Sequence, residues 1–387
     1  MKVKPADRTS NVEEYYFSRK LRQIDQMRSS GADIINLGIG SPDQPPSENT
    51  VKRLSEEACK PDVHGYQSYI GVPALRRAFS DWYLKYFKVS LDPEKEILPL
   101  MGSKEGIMHI SMAFLNTGDE VLIPNPGYPT YSSVTNLTGG TVRYYDLNEN
   151  NGWFPDIQAL RKSDLSRVKI MWINYPHMPT GTKGTPGLFK ELVSFSADHN
   201  ILLCNDNPYS FILNKEYLSL LSVAGAMETA LELNSMSKSH NMAGWRVGMV
   251  AGSSEYIRAI LKVKSNMDSG MFLPLQLAAA DALGNPDSWY DAVNIKYRER
   301  RITAESIMDL LHCRFRPDQV GLFVWGRVPD SVGSCEAFVE EILLKANVFL
   351  TPGFIFGSKG DRYIRISLCA DIKRLKEAKD RIAKLNL

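Results

Sequence analysis

The residues best placed to do chemistry lie in Ser235-Met236-Ser237-Lys238-Ser239-His240 and in Ala243-Gly244-Trp245-Arg246-Val247-Gly248 just beyond. A lysine amine can condense with an aldehyde, and an arginine can grip an anion in a forked contact. Upstream, Asp206-Asn207-Pro208-Tyr209 offers an acid and a phenol. Gly102-Ser103-Lys104-Glu105-Gly106 is a turn that enters a helix, where free backbone N–H groups suit a phosphate. Singly, each has an ordinary explanation: a solvated loop lysine, a Gly-Ser cap, an aspartate forming a turn. Together they describe a site for a phosphorylated aldehyde. An amine would bond it and an acid would hold a ring nitrogen protonated. A tyrosine hydroxyl would face a ring phenolate, and a cradle with Arg246 would hold the phosphate. Pyridoxal phosphate, whose protonated ring is an electron sink, needs this set.

These side chains must be carried by regular elements. Ala230, Leu231 and Leu233 lead into Lys238, and Val247, Met249 and Val250 lead out. This reads as strand, loop, strand, with a loop too short for a parallel crossover, so the two strands should be antiparallel neighbours. Upstream the chain alternates. Strands are expected at 33–37, 120–123, 141–145, 168–173 and 201–204, and helices at 49–59, from Pro73, and at 107–115, 131–137 and 186–199. That alternation predicts a mainly parallel sheet wrapped by helices. Ligands gather beyond the carboxyl ends of such strands, where Asn174, Asp206 and Lys238 stand. After Gly284-Asn285-Pro286 comes a long helical pattern, Trp289 to Leu311. Strand-like Gly321 to Val328, a helix from Cys335, strand-like Tyr363 to Ser367 and a helix from Ile372 follow. This reads as a second, α+β domain. The N-terminal segment, with Phe17, Leu21 and Ile24 at helical spacing on a surface helix, is expected to pack with it.

The 387 residues carry 46 Lys+Arg against 44 Asp+Glu, which gives no basic field for nucleic acid. Five scattered cysteines without CxxC or CxxH spacing support neither a disulfide framework nor a zinc site. The start of the chain has no apolar signal core, and no run is long enough to span a membrane. A cytoplasmic protein is expected.

Over essentially its whole length the sequence resembles the class I aminotransferases of pyridoxal-phosphate fold type I. The matching motifs, in order, are Gly40-Ser41-Pro42-Asp43, Tyr66 with Gly71, Gly102-Ser103-Lys104, Pro126-Gly127-Tyr128-Pro129, Asn174 to Gly181, Asp206 to Tyr209, Ser235 to Lys238 with Arg246, Pro352-Gly353 to Phe356-Gly357, and Arg365-Ile366-Ser367. The resemblance implies an α/β large domain with a seven-stranded, mainly parallel sheet over 44–285. A small domain of 1–43 plus 286–387 would be joined to it by a helix over about 287–312. It implies that Lys238 bonds the cofactor and shuttles the substrate proton, with Asp206 on the ring nitrogen, Tyr209 on the phenolate and Tyr128 stacked on the ring. Ser103, Lys104 through its backbone N–H, Ser235 and Arg246 would bind the phosphate, and Gly102, Asn174, Met178 and Ser237 would complete the cofactor shell. Arg365 would clamp the substrate α-carboxylate, with Gly40 beside it. Tyr66 would reach the phosphate of a neighbouring subunit, which implies a homodimer with shared sites.

One position departs from the family pattern. Met178 stands where an asparagine usually precedes Pro-Thr-Gly and donates to the cofactor phenolate. Tyr209 would then be the main donor, unless His177 or a water substitutes; alternatively Met178 packs as core and the loop has moved. Lys264 to Phe272, with Asn174-Tyr175-Pro176 and Leu37-Gly38-Ile39-Gly40, is similar to the branch holding LL-diaminopimelate aminotransferases and some alanine and aspartate aminotransferases. The expected activity is ping-pong amino transfer to a 2-oxo acid such as 2-oxoglutarate, with LL-diaminopimelate, aspartate or alanine as candidate donors. A β-eliminating C–S lyase uses the same cofactor residues and stays open. A non-catalytic sensor is the third reading.

Overall fold

The computed structural model describes residues 3–385 apart from 11, 13 and 15. A helix, Tyr16–Ser29, precedes the short strand β1 (Ile35–Asn36). Seven strands then build the central sheet: β2 (Ile97–Leu100), β3 (Glu120–Asn125), β4 (Thr141–Asp146), β5 (Val168–Ile173), β6 (Leu202–Asp206), β7 (Ala230–Ser235) and β8 (Gly248–Gly252). Their order is β2-β8-β7-β6-β5-β3-β4. Strands β3 to β7 pair in parallel, and β8 runs against both β7 and β2, as the short loop requires.

The sheet is covered on both faces, so its strands are apolar at successive positions rather than alternating with polar ones. Side chains still alternate between faces. Ile170 and Trp172 join one core cluster, while Met171 and Ile173 join the other. The helix Ser103–Phe114 lies close on the first of these faces. A Cβ on Gly106 would stand 2.6 Å from side-chain carbons of both Leu100 and Leu233.

One buried acid ties together the strands that carry the site. Glu232, fully buried on β7, accepts from Tyr83 Oη (3.0 Å), Asn205 Nδ2 (2.9 Å), Ser219 Oγ (2.7 Å) and Leu220 N (2.8 Å). Asn205 Oδ1 in turn accepts from Tyr175 N at 3.1 Å. Four donors satisfy a carboxylate that would otherwise be expensive to bury, and the ends of β5, β6 and β7 are held in one register.

Beyond the sheet, the long helix Asp287–Leu310 leads to β9 (Arg314–Phe315), β10 (Phe323–Arg327), β11 (Val348–Phe349), β12 (Thr351–Pro352) and β13 (Tyr363–Ser367). Strands β12-β13-β10-β9 form an antiparallel sheet, and β1 pairs in parallel with β11, more than 300 residues away. Arg300 on the long helix forks onto Asp43, with Nη1 to Oδ1 at 2.7 Å and Nη2 to Oδ2 at 2.8 Å.

The structure differs from the sequence expectation in several places, among them the unexpected helix Ile157–Arg161 and strands β9, β11 and β12. The helix expected from Ile107 begins at Ser103, because its first turn is polar and shows no apolar stripe. Met236–Ser239 is one helical turn inside the expected loop. Helices Ser254–Lys264 and Leu273–Leu283 were not expected. Among the described residues no helix is long and apolar enough to cross a membrane.

Candidate active site

The carboxyl ends of β2, β5, β6 and β7 open into a cavity of about 340 Å3. Of the residues proposed from sequence, Gly40, Ser103, Lys104, Tyr128, Asn174, Met178, Asp206, Tyr209, Ser235, Ser237, Lys238, Arg246 and Arg365 all line it. Tyr66 does not line the cavity of its own chain and is 94% exposed. Gly102 stands behind the wall. It has φ 85°, and a Cβ there would lie 2.3 Å from Arg246 Nη2. Only glycine lets the guanidinium approach the start of helix Ser103–Phe114 this closely.

Lys238 lies in the helical turn Met236–Ser239 after β7, and its Nζ donates to Gly40 O at 2.5 Å. Burial lowers its pKa; nearby Cys369 acts in the opposite sense, and the Arg365 and Arg246 charges lower it further. Each lowering effect favours the neutral, nucleophilic amine. The turn is braced from behind by His240, whose ring nitrogens lie 2.8 Å from Ser239 Oγ and 3.0 Å from Tyr290 Oη. Burial holds this imidazole at about 3, so it is neutral at physiological pH.

Asp206 ends β6. Tyr131 Oη donates to its Oδ2 at 3.1 Å, while Oδ1 is buried without a hydrogen-bond partner. Burial raises the carboxyl to about 7, although the Tyr131 hydrogen bond and the Lys238 charge pull the other way. Tyr131 itself stacks on Trp172, with centroids 5.1 Å apart. Sequence reasoning missed it, placing it only as the start of a helix. Its separation of three residues from Tyr128, on a turn entering a helix, was the available signal.

Asn174 spends both ends of its amide on backbone. Its Nδ2 donates to Asp206 O, and its Oδ1 accepts from Met178 N at 2.7 Å. This fixes Met178 against the cavity, so the loop has not moved away. The Met178 Sδ lies 3.2 Å from Arg365 Nη1. His177 does not take the vacant place: its Nδ1 lies 2.8 Å from Thr180 Oγ1, outside the cavity wall.

Arg365, on β13, is 4% exposed and donates from Nη2 to Gly38 O at 2.8 Å. The helix Tyr16–Ser29, read from sequence as a surface helix, is mostly exposed but sends Phe17 into the cavity. The charged side chains lining the cavity, among the described residues, are Lys104, Lys238, Arg246 and Arg365 against Asp206. Four cations and one acid suit a ligand pair that is mainly anionic.

The sequence profile described as aminotransferase class I and II matches residues 32–382. The chain belongs to this family. It is 40% identical to an LL-diaminopimelate aminotransferase of Desulforudis audaxviator, over 97% of this chain and 96% of that one. Among solved structures it superposes on apo-BacF from Bacillus subtilis with TM-score 0.95 and 33% identity, covering 100% and 99% of the two chains. An aspartate aminotransferase variant of Thermus thermophilus, 24% identical, shares the fold with TM-score 0.91 over 99% of each chain. Two polar atoms of cavity-lining residues, Ser103 Oγ and Asp206 Oδ1, are buried without hydrogen-bond partners.

Proposed function

We propose that the cavity holds pyridoxal phosphate and that the chain uses it to move the α-amino group of an amino acid to a 2-oxo acid. The observation that carries this is the pair of buried, unpartnered oxygens, Ser103 Oγ and Asp206 Oδ1, on residues that line the same cavity as Lys238. The N-terminus of helix Ser103–Phe114, with Ser103, Lys104, Ser235, Ser237 and Arg246, would hold the phosphate. Asp206 would hold the ring nitrogen protonated, Tyr209 would donate to the phenolate oxygen, and Tyr128 would cover the ring. When bound, the cofactor supplies an electron sink for the bond broken at the substrate Cα. Lys238 holds and returns the Cα proton, and Arg365 orients the substrate by its carboxylate.

A donor panel tests this reading: LL-diaminopimelate, aspartate, alanine and phenylalanine, each with 2-oxoglutarate. The cofactor spectrum should change to that of its amine form, and the amino group should appear on the acceptor. Ammonia and keto acid formed without any acceptor would favour the lyase reading instead.

The same reading assigns residues 44–285 to a large domain and 1–43 with 286–387 to a small one, of which 1, 2, 11, 13, 15, 386 and 387 lie outside the described residues. The β1–β11 pairing supports joining the two ends of the chain in one unit. The exposure of Tyr66 supports a homodimer in which it serves the partner's phosphate. Mixing Tyr66→Phe and Lys238→Ala chains should then regain activity, because half the hybrid sites carry neither defect. A fully active monomer by light scattering defeats this part.

Met178 leaves the phenolate without an amide donor, since a thioether has no proton to give. Met178→Asn should lower the pH at which the spectrum of the loaded enzyme titrates, by about one to two pH units at most. An unchanged or raised midpoint would show that position 178 does not face the phenolate.

A further inference from the structure

We infer that Glu105, His109 and Asp268 form a binding site for a divalent first-row metal ion, with zinc the best match to the ligand set. Ligand-type atoms of the three side chains lie within 4.8 Å of one another. None of the three lines the cavity. Glu105 and His109 stand four residues apart on helix Ser103–Phe114, so they share one face of it. Asp268 comes from the segment just after helix Ser254–Lys264, which packs against the first helix. The set contains no cysteine, so cysteine spacing gives no sign of it.

The polar atoms of this group lack the partners that burial demands. His109 is 1% exposed, and neither ring nitrogen has a hydrogen-bond partner among the described residues. Its Nε2 lies 3.3 Å from Glu105 Oε1 without forming a hydrogen bond to it. Asp268 Oδ1 accepts twice, from Lys264 Nζ and from Gly270 N, each at 2.8 Å. Its Oδ2 is buried and receives nothing. Glu105 Oε2 is spent on Met101 N at 2.6 Å, which leaves Oε1 toward the imidazole. These outer contacts orient the carboxylates as the groups around a bound metal do. A cation between the three side chains satisfies Glu105 Oε1, Asp268 Oδ2 and one imidazole nitrogen together, and buried polar atoms left unsatisfied are costly.

Charge and ligand type point to the ion. Two carboxylates face one ammonium, that of Lys264, whose side chain is 2% exposed, so the group is short of positive charge. One imidazole with two carboxylates suits zinc better than magnesium or calcium, which prefer oxygen alone. Zinc holds such ligands at about 2.0–2.2 Å, so a pair at the 4.8 Å limit closes in by about 1 Å as the ion enters. Three protein ligands leave a fourth position for water. The rival is His109 carrying the missing charge itself, as an imidazolium between the carboxylates. Zinc then finds no free nitrogen.

The test uses the full chain as it assembles, loaded with pyridoxal phosphate and freed of the excess, so that the phosphate end does not itself take metal. Calorimetric titration with zinc chloride should find one equivalent per chain at micromolar affinity or tighter. His109→Gln should weaken binding at least about a hundredfold, the upper end of what loss of an outer contact costs a metal site. Asp268→Asn, which keeps an acceptor for Lys264 and Gly270, should weaken it by a similar factor. The unaltered protein supplies a measurement free of any folding defect. X-ray absorption at the zinc edge should show one imidazole nitrogen and carboxylate oxygens at about 2.0–2.2 Å.

No zinc bound at micromolar concentration overturns the inference, as does an edge spectrum with no imidazole or more than one. Unchanged affinity in His109→Gln also overturns it, because the ion then sits elsewhere, as on exposed His64 or His312. The aminotransferase reading is untouched by each of these results and is decided by the donor panel.

Discussion

Lys238→Ala is expected to lose transamination by at least about ten-thousandfold, because covalent attachment and proton transfer at Cα depend on the same amine. Cofactor should still bind, held by the start of helix Ser103–Phe114 and by Arg246, which approaches that turn through the space left at Gly102. The lowered pKa of Lys238, from burial first and from the Arg365 and Arg246 charges, favours the neutral, reactive form of the amine. Borohydride reduction of the loaded enzyme, then peptide mapping, should place the label on Lys238. Label on another lysine would sink the assignment, and so would a variant retaining a tenth of the activity.

Asp206→Asn should cost about a thousandfold in rate, since an amide cannot hold the ring nitrogen protonated. It should also leave a signature that needs no cofactor. Burial lifts this carboxyl to about 7 from an ordinary 3.8. Between those values the folded chain keeps a proton that the unfolded chain has released. The cofactor-free protein therefore loses stability as pH rises from about 4 to about 7, with a total on the order of 4 kcal/mol. Cofactor-free Asp206→Asn should lack that slope. It should melt above the parent at pH 8, and the difference should vanish near pH 4. Parallel melting curves at both pH values would mean that the parent carboxyl is not held protonated by burial.

Much of the site was legible because its reactive residues follow apolar strands directly. Asp206 ends β6, Asn174 follows β5, and Lys238 comes one helical turn after β7. A strand fixes where its last residue points, so side chains at several parallel strand ends converge without further information. The parts that were not legible depend on contacts between distant segments. Phe17 sits on a helix with one buried residue, Ile24, and its local pattern shows only a polar, exposed helix. Its place over Arg365 comes from docking against Glu340 and Phe354, more than 300 residues later. Tyr131 supports Asp206 only because β3 and β6 are parallel strands, one strand apart, whose carboxyl ends meet at the same edge of the sheet. The Met178 loop could not be placed until Asn174 was seen to hold it by the backbone.

The Tyr66 loop has a consequence that concerns how such a protein can be altered. A cluster of polar groups lies between this loop and the turn at Gly102. Lys264 Nζ donates to Tyr69 O at 3.0 Å and to Asp268 Oδ1 at 2.8 Å. Asp268, His109 and Glu105 keep their ligand-type atoms within 4.8 Å of one another, and His109 Nε2 lies 3.3 Å from Glu105 Oε1. Glu105 Oε2 accepts from Met101 N at 2.6 Å, one residue before Gly102. On the homodimer reading proposed above, a substitution in this cluster should register both at the Tyr66 loop and at the Gly102 turn, so selection would act on the two together.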